Sequence, residues 1–354
     1  VANREKQGRA PRRAVWTILK VLYLLVFLAA AAIVVLYIVY KAAVKPPAVE
    51  LQTQLTVTVR PSDDPDTPDL DESQLTDGDP EVTTLQLTRK EQFYTFLLMG
   101  SDDGNGNADT IMVGAFDVKN GKLSVVSVPR DTLVDVSRSV KKINAAYGAG
   151  GFGESGVEQL LDELTGVLGF RPDHYIKVDI QAFVDVVNAL GGVSFYVPCD
   201  MYHNDGAGFI INLKQGTQWL DGDKALQLVR YRGYANADLG RIQTQQKFLQ
   251  QLAKQTLSLS SVTKVNEFAR ILSQYFDTDL SVTELAYFGT AALSLDFSSD
   301  LTFATLPGDG TVSYKGVSWY YQLEPEGCLE ILNSTVNPYT TDITDQMTDI
   351  LQVK

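Results

Sequence analysis

Residues 110–129 read TIMVGAFDVKNGKLSVVSVP. Two runs of β-branched and other apolar residues flank Asn120-Gly121, a dipeptide that favours tight hairpin turns. FYTFLLMG, residues 93–100, has the same character, so three adjacent strands are expected. The period then changes. In ESGVEQLLDELTGVL (154–168) apolar residues recur at helical spacing, and YIKVD followed by IQAFVDVVNALGG gives a strand, then a helix closed by glycine. This mixture predicts an α/β domain of the α+β layered kind, with a central mixed β-sheet flanked by helices.

Further along, GTQWLDGDKALQLVRYRGY (216–234) predicts a turn, a short helix from about Asp221, and a strand that carries Arg230 and Arg232. A long helix is expected over 238–258, two helical pieces within 262–295, and a late strand in LTFATLPG (301–308). No internal repeat is evident, so residues 91–354 read as one globular domain.

The segments before it have a different composition. Residues 14–40 are nearly unbroken apolar sequence with Lys20 as the only charge, longer than the roughly 20 residues that span a bilayer. Arg4, Lys6, Arg9, Arg12 and Arg13 precede the run and assign residues 1–13 to the cytoplasm by the positive-inside rule. A cleaved signal peptide has a shorter apolar core, so an uncleaved anchor is expected, with everything after it outside the cell. Residues 41–90, rich in Pro and Asp, read as an extended, self-repelling extracytoplasmic linker. On the oxidising side of a membrane Cys199 and Cys328 could pair, or remain two buried thiols; the spacing leaves both open.

The formal net charge of -13 argues against broad nucleic-acid binding, which needs a basic surface to displace counterions. Yet LVRYRGYANADLGRIQTQQ (228–246) concentrates Arg230, Arg232 and Arg241 around one acid, Asp238. On a strand, Arg230 and Arg232 would share a face; Asp238 would begin the next helix, with Arg241 and Gln245 four residues apart on one side of it. Guanidinium forks suit phosphate oxygens, so several together imply a multiply charged ligand such as a pyrophosphate. Surface ion pairing is the plainer reading of the same arginines.

GSDDGNGNADT (100–110) sets Asp102, Asp103 and Asp109 between two strand ends, which suits Mg²⁺ held by one or two carboxylates plus phosphate and water; it is also an ordinary Asp/Asn/Gly turn. In SVPRDT (127–132) Arg130 projects from a strand end, where ligands of α/β sheets bind, or forms a salt bridge. His174 and His203 are the only histidines, and no nucleophile elbow or Walker loop is present, so Ser-His hydrolysis is not expected.

In order, LLMGSD, ADTIMV, SVPRDT, KINAAY, YIKVDIQAFVDVVNALGGV, TQWLDGDKAL, RYR and DLGRIQTQQ resemble the successive motifs of the LytR-CpsA-Psr family across residues 92–256. That resemblance implies a membrane-anchored phosphotransferase in a Gram-positive-type envelope. It would take a glycan phosphate from a polyprenyl-pyrophosphate carrier and join it to peptidoglycan at the C6 hydroxyl of N-acetylmuramic acid. Carried over by motif, Asp102 and Asp109 would hold Mg²⁺. Arg130, Arg230, Arg232 and Arg241 would clamp the pyrophosphate with Gln245 assisting and Asp238 orienting them, and Lys142 and Asn144 would line the same pocket. Helices 154–168 and 180–190 could wall an apolar tunnel for the lipid.

The sequence departs from the family where Asn107 and Ala108 replace a frequent arginine, where the loop between Asp102 and Asp109 is short, and where Thr244 takes a commonly basic position. These departures keep two other functions in view: a non-catalytic envelope protein that binds pyrophosphate lipids, and a pyrophosphate-lipid hydrolase.

Overall fold

The computed structural model describes residues 46–49, 52–59, 81–102, 106–204, 206, 208–234, 238–258, 269–270, 272–296 and 299–353. The chain divides into two compact units, Val1–Pro47 and Ala48–Lys354. The basic segment 1–13 and the apolar run 14–40 lie outside the described residues, among which no helix is long and apolar enough to cross a membrane.

In chain order the second unit begins with strands β1 (Gln52–Val59), β2 (Glu81–Thr88), β3 (Phe93–Asp102), β4 (Asn107–Asp117) and β5 (Lys122–Ser127). Helix α1 (Gly153–Leu168), β6 (His174–Asp179), α2 (Ile180–Ala189), β7 (Val193–Val197), β8 (Met201–Asn204), β9 (Ile210–Leu213) and β10 (Gly216–Leu220) follow. The remainder comprises α3 (Gly222–Arg230), α4 (Asp238–Ser258), β11 (Asp277–Thr278), α5 (Val282–Ala292), β12 (Leu301–Thr305), β13 (Gly308–Tyr314), β14 (Val317–Leu323) and α6 (Pro325–Thr335).

Six strands form the central sheet in the order β11-β6-β3-β4-β5-β12. It is mixed: β3 pairs antiparallel with β4 and parallel with β6, and β12 runs parallel to β5. The β4–β5 hairpin closes at the Asp117–Lys122 pair, so its loop has four residues. Asn120 donates its backbone N–H to Asp117 Oδ1 at 3.0 Å, and only Gly121 takes a left-handed φ, +61°.

Alternation along β3 and β4 separates two faces. Leu97, Met99, Ile111 and Val113 bury against α1, whose Val157, Leu160, Leu161, Leu164 and Leu168 form one apolar stripe. Such side chains contribute about 1.5–3 kcal/mol each when fully buried. The same core takes Cys328 and Leu332 of α6 and, beyond it, Val336, Tyr339 and Ile343, so the C-terminal part of residues 91–354 shares this core. On the other face Phe288 of α5 stands edge-on to Tyr94 and Phe96, its ring centroid 5.0 Å from each. A second cluster is built from α2, α3, α4 and strands β7, β8, β9 and β10.

Buried polar groups fix the base of the sheet. Arg89 and Asp173, with side chains 6% and 11% exposed, pair at 2.7 Å. Asp173 also accepts from the Thr95 backbone N–H at 2.8 Å and from its hydroxyl at 2.7 Å.

Two sequence expectations are corrected here. Within the linker 41–90, QTQLTVTV and EVTTLQLT alternate β-formers and pair as the antiparallel β1–β2 ladder, so these parts are not free extended chain. Arg230 ends helix α3 instead of lying on a strand. The Asp221 side chain caps that helix by accepting from Lys224 N at 2.9 Å, and buried Ala225 and Leu228 keep helical spacing up to the arginine. Cys199 and Cys328 are both free thiols.

Hairpin β13–β14 leaves the end of β12. Tyr314 pairs with Val317, so Lys315-Gly316 is a two-residue turn with φ of +48° and +79°, as a type I′ turn requires. The next pair is Val312 with Tyr320, which sets Ser313 against both Ser318 and Trp319. This bulge holds Trp319 at φ +65°, a left-handed conformation that costs a bulky residue about 1–2 kcal/mol.

Candidate functional site

A cavity of about 730 Å³ lies between the second face of the sheet and helices α2 and α4. Leu98, Met112, Ile176 and Val178 form its floor, Phe183 and Val186 one wall, and Phe248, Leu249 and Leu252 another. Its charged lining consists of Asp109, Arg130, Arg230, Arg232 and Arg241, with a second carboxylate, Asp179, that caps α2 by accepting from Ala182 N at 2.6 Å.

Backbone register aims Asp109. Gly100 pairs with Thr110 and Ser101 with Ala108, which leaves Asp109 as the extra residue of a β-bulge. Bulges re-aim side chains near sites. The Asp109 side chain is 42% exposed, and its Oδ1 accepts from Arg130 Nη1 at 2.5 Å and lies 3.6 Å from Arg232 Nη2. Its carbonyl accepts from Nη2 of the buried Arg241 at 3.4 Å. One residue therefore contacts three of the four predicted clamp arginines. The fourth, Arg230, places its guanidinium carbon 4.5 Å from the ring centroid of Phe209, a cation–π contact.

These arginines come from distant parts of the chain. Arg130 sits in the turn after β5, closed by the Thr132 N–H to Pro129 carbonyl bond of 3.0 Å. Arg230 ends α3 and Arg232 lies just beyond it, while Arg241 occupies the first turn of α4. Gln245, one turn after Arg241, also lines the cavity and donates its amide to the Val229 carbonyl at 3.0 Å, tying α4 to the end of α3.

Lys142 and Asn144 are not among the lining residues; they stand behind Arg130. Lys142 Nζ is 3.0 Å from Asp131 Oδ1, and the Asn144 backbone N–H donates to the Arg130 carbonyl at 3.1 Å. Asp102 ends β3 and Asp238 opens α4, but both side chains lie outside the described residues. Of the two helices expected as tunnel walls, only α2 serves. The apolar stripe of α1 is buried on the opposite face of the sheet, a placement that periodicity alone does not distinguish.

Sequence reasoning missed Phe209, which no motif flags, and Gln246. The Gln246 amide donates to Ser127 Oγ at 3.0 Å and to the Ala304 carbonyl at 3.1 Å, fastening α4 to β5 and β12. Gln246 adjoins Gln245 in the chain, but a long polar helix face gives no sign of which glutamine turns inward.

The LytR_cpsA_psr family model matches residues 66–336. The chain belongs to the LytR-CpsA-Psr family. One relative within it is the polyisoprenyl-teichoic acid--peptidoglycan teichoic acid transferase TagV of Bacillus subtilis, 31% identical over 72% of this chain and 67% of TagV. The TagV crystal structure shares 25% identity over 69% of this chain and 96% of the solved chain, with a TM-score of 0.59. The regulatory protein MsrR of Staphylococcus aureus is 34% identical over 52% of this chain and 56% of its own length, so this LytR-CpsA-Psr chain spans little more than half of MsrR. A structure of TagT bound to LIIa-WTA matches at 25% identity over 71% of this chain and 92% of the solved chain, with a TM-score of 0.56.

Proposed function

We propose that the chain is an extracytoplasmic transferase, anchored through residues 14–40, that moves a glycan phosphate from a polyprenyl-pyrophosphate carrier to a peptidoglycan hydroxyl. The observation that carries this reading is one cavity with a long apolar lining and a cluster of arginines around Asp109. Only an amphiphile with a hydrocarbon tail and a multiply charged head uses both parts. Kinship supports it, since TagV is named for transfer of teichoic acid to peptidoglycan and TagT is solved bound to LIIa-WTA.

In the proposed reaction the acceptor oxygen attacks the phosphorus that bears the glycan. The bond from that phosphorus to the bridging oxygen breaks, polyprenyl phosphate leaves, and the glycan is left in a phosphodiester. The acceptor loses its hydroxyl proton. Asp109, which lines the cavity, and Asp238, which opens α4, are the two candidates to take it; in the family reading, the N-acetylmuramic acid C6 hydroxyl is the acceptor. Arg130, Arg230, Arg232 and Arg241 stabilise charge on the phosphoryl oxygens, and phosphoryl transfer depends mainly on such positioning and neutralisation.

Mg²⁺ fits this end of the cavity. Asp109 offers a half-exposed carboxylate, Asp102 ends the neighbouring strand, and the ion commonly needs no more protein than one or two carboxylates. Bound there, Mg²⁺ would neutralise pyrophosphate charge.

The test combines the full chain in detergent, Mg²⁺, a polyprenyl-pyrophosphate glycan and peptidoglycan oligomers, and looks for the phosphodiester by mass spectrometry. Acceptor-dependent product is expected. Tight donor binding without product would leave a lipid-binding regulator, and product formed on water alone would indicate a hydrolase.

A further inference from the structure

Trp319 combines two costs. It occupies a left-handed bulge position that suits glycine, and its side chain is 69% exposed, so packing returns little for the strain. Backbone strain held without packing points to a contact made with something else.

The position of the residue narrows what that is. Strand β12 runs parallel to β5, so both end at the edge of the sheet from which Arg130 projects, and hairpin β13–β14 continues from there. Strand β14 is bonded to the Arg130 turn: the Tyr321 N–H donates to the Asp131 carbonyl, and the Leu133 N–H to the Tyr321 carbonyl, both at 2.9 Å. Thr132 and Tyr321 form a parallel bridge, and two residues before each stand Arg130 and Trp319. Next to Trp319, the Tyr320 ring lies under Lys142 Nζ at 5.6 Å, and that lysine holds Asp131. The exposed indole is therefore built onto the segment that supports a clamp arginine.

We infer that Trp319 is a stacking platform for the acceptor glycan strand of peptidoglycan, which it holds beside the phosphate clamp; this rests on the transferase reading. An aromatic face suits the C–H face of a pyranose, and the neighbouring hydroxyls suit its polar rim. Ser313 and Ser318 are both exposed and bond to each other at 3.1 Å within the bulge that holds Trp319. A membrane surface is a poorer match, because the turn beside Trp319 carries one cation, Lys315, where anionic headgroups favour a basic cluster.

The test uses the full chain in detergent with uncross-linked strands of alternating N-acetylglucosamine and N-acetylmuramic acid as acceptor, at saturating donor. Trp319→Gly removes the ring and keeps the backbone conformation. It should raise acceptor KM about tenfold, the loss expected for an aromatic anchor, and leave kcat, donor KM and thermal stability at parent values or better. Trp319→Phe should recover most of the affinity, and Trp219→Ala, which alters another exposed indole, should change nothing. An acceptor KM within twofold of the parent in Trp319→Gly overturns the platform. So does a loss that appears only as weaker flotation with phosphatidylglycerol vesicles. Calorimetric binding of the strands separates the two claims: binding that depends on Trp319 without transfer keeps the platform and removes the transferase, and transfer indifferent to Trp319 does the reverse.

Discussion

Arg130 and Asp109 meet through Nη1 and Oδ1 at 2.5 Å, with Arg232 3.6 Å from the same oxygen. A single carboxylate thus stands between two guanidiniums that would otherwise face each other across the charged end of the cavity. Asp109→Asn should lower kcat by about 10²–10³ and shift the melting temperature little, because the side chain is half-exposed. Steady-state transfer and circular dichroism melts check both parts; parent-like turnover would remove Asp109 from the reaction.

The stacking of Arg230 on Phe209 is a separate device. Phe209→Leu keeps an apolar side chain there but removes the ring, and an exposed cation–π contact contributes about 0.5–1 kcal/mol. Donor KM should rise about two- to fivefold with kcat nearly unchanged. Arg230→Ala, by contrast, should lower kcat itself.

Asp173 holds Arg89 and both polar groups of Thr95 in a nearly dry setting. Asp173→Ala leaves the arginine charge buried without its acid and should destabilise the domain by about 3–5 kcal/mol in urea titration. Donor binding by the residual folded protein should be unaffected, since neither residue lines the cavity.

Burial pushes the Cys328 thiol from its ordinary value near 9 up to about 12. The folded state then keeps this proton where the unfolded chain releases it, so the contribution to stability is complete below about pH 9 and is lost as the pH rises towards 12. Cys328→Ala should flatten the fall in unfolding free energy over that window, and the native thiol should stay unreactive to Ellman's reagent at pH 8. A steep loss of stability unchanged by the substitution would assign it to other groups, among them Tyr175, also raised to about 12 mainly by burial.

Much of the fold was legible because its signals are local. Strands 93–100 and 110–118, the helices at 154–168 and 238–258, and the late strand at 301–305 follow from period and turn residues. The helix carrying Arg230 was misread in its last turn, since LVRYR satisfies a strand pattern as well as a helical one and only the cap at Asp221 and the packing of Leu228 decide. The gathering of Arg230, Arg232 and Arg241 was anticipated from their spacing, and the addition of Arg130 to them only from the motifs. Their convergence on Asp109 depends on strand register and on a turn 21 residues away, which are long-range facts. Phe209 was invisible for the same reason.

The bulge at Asp109 makes part of this strand a counter and part of it slack. Lengthening or shortening the stretch between Asp102 and Asn107 leaves the pairings of Ala108 and Thr110 intact, so the short loop there has no bearing on where the carboxylate points. A residue gained or lost between Ala108 and Thr110 changes the two-against-one count and turns the acid away from the arginines. Tolerance to insertion should therefore switch from free to forbidden within two positions of one strand, a boundary that a deletion scan would trace without any knowledge of the substrate.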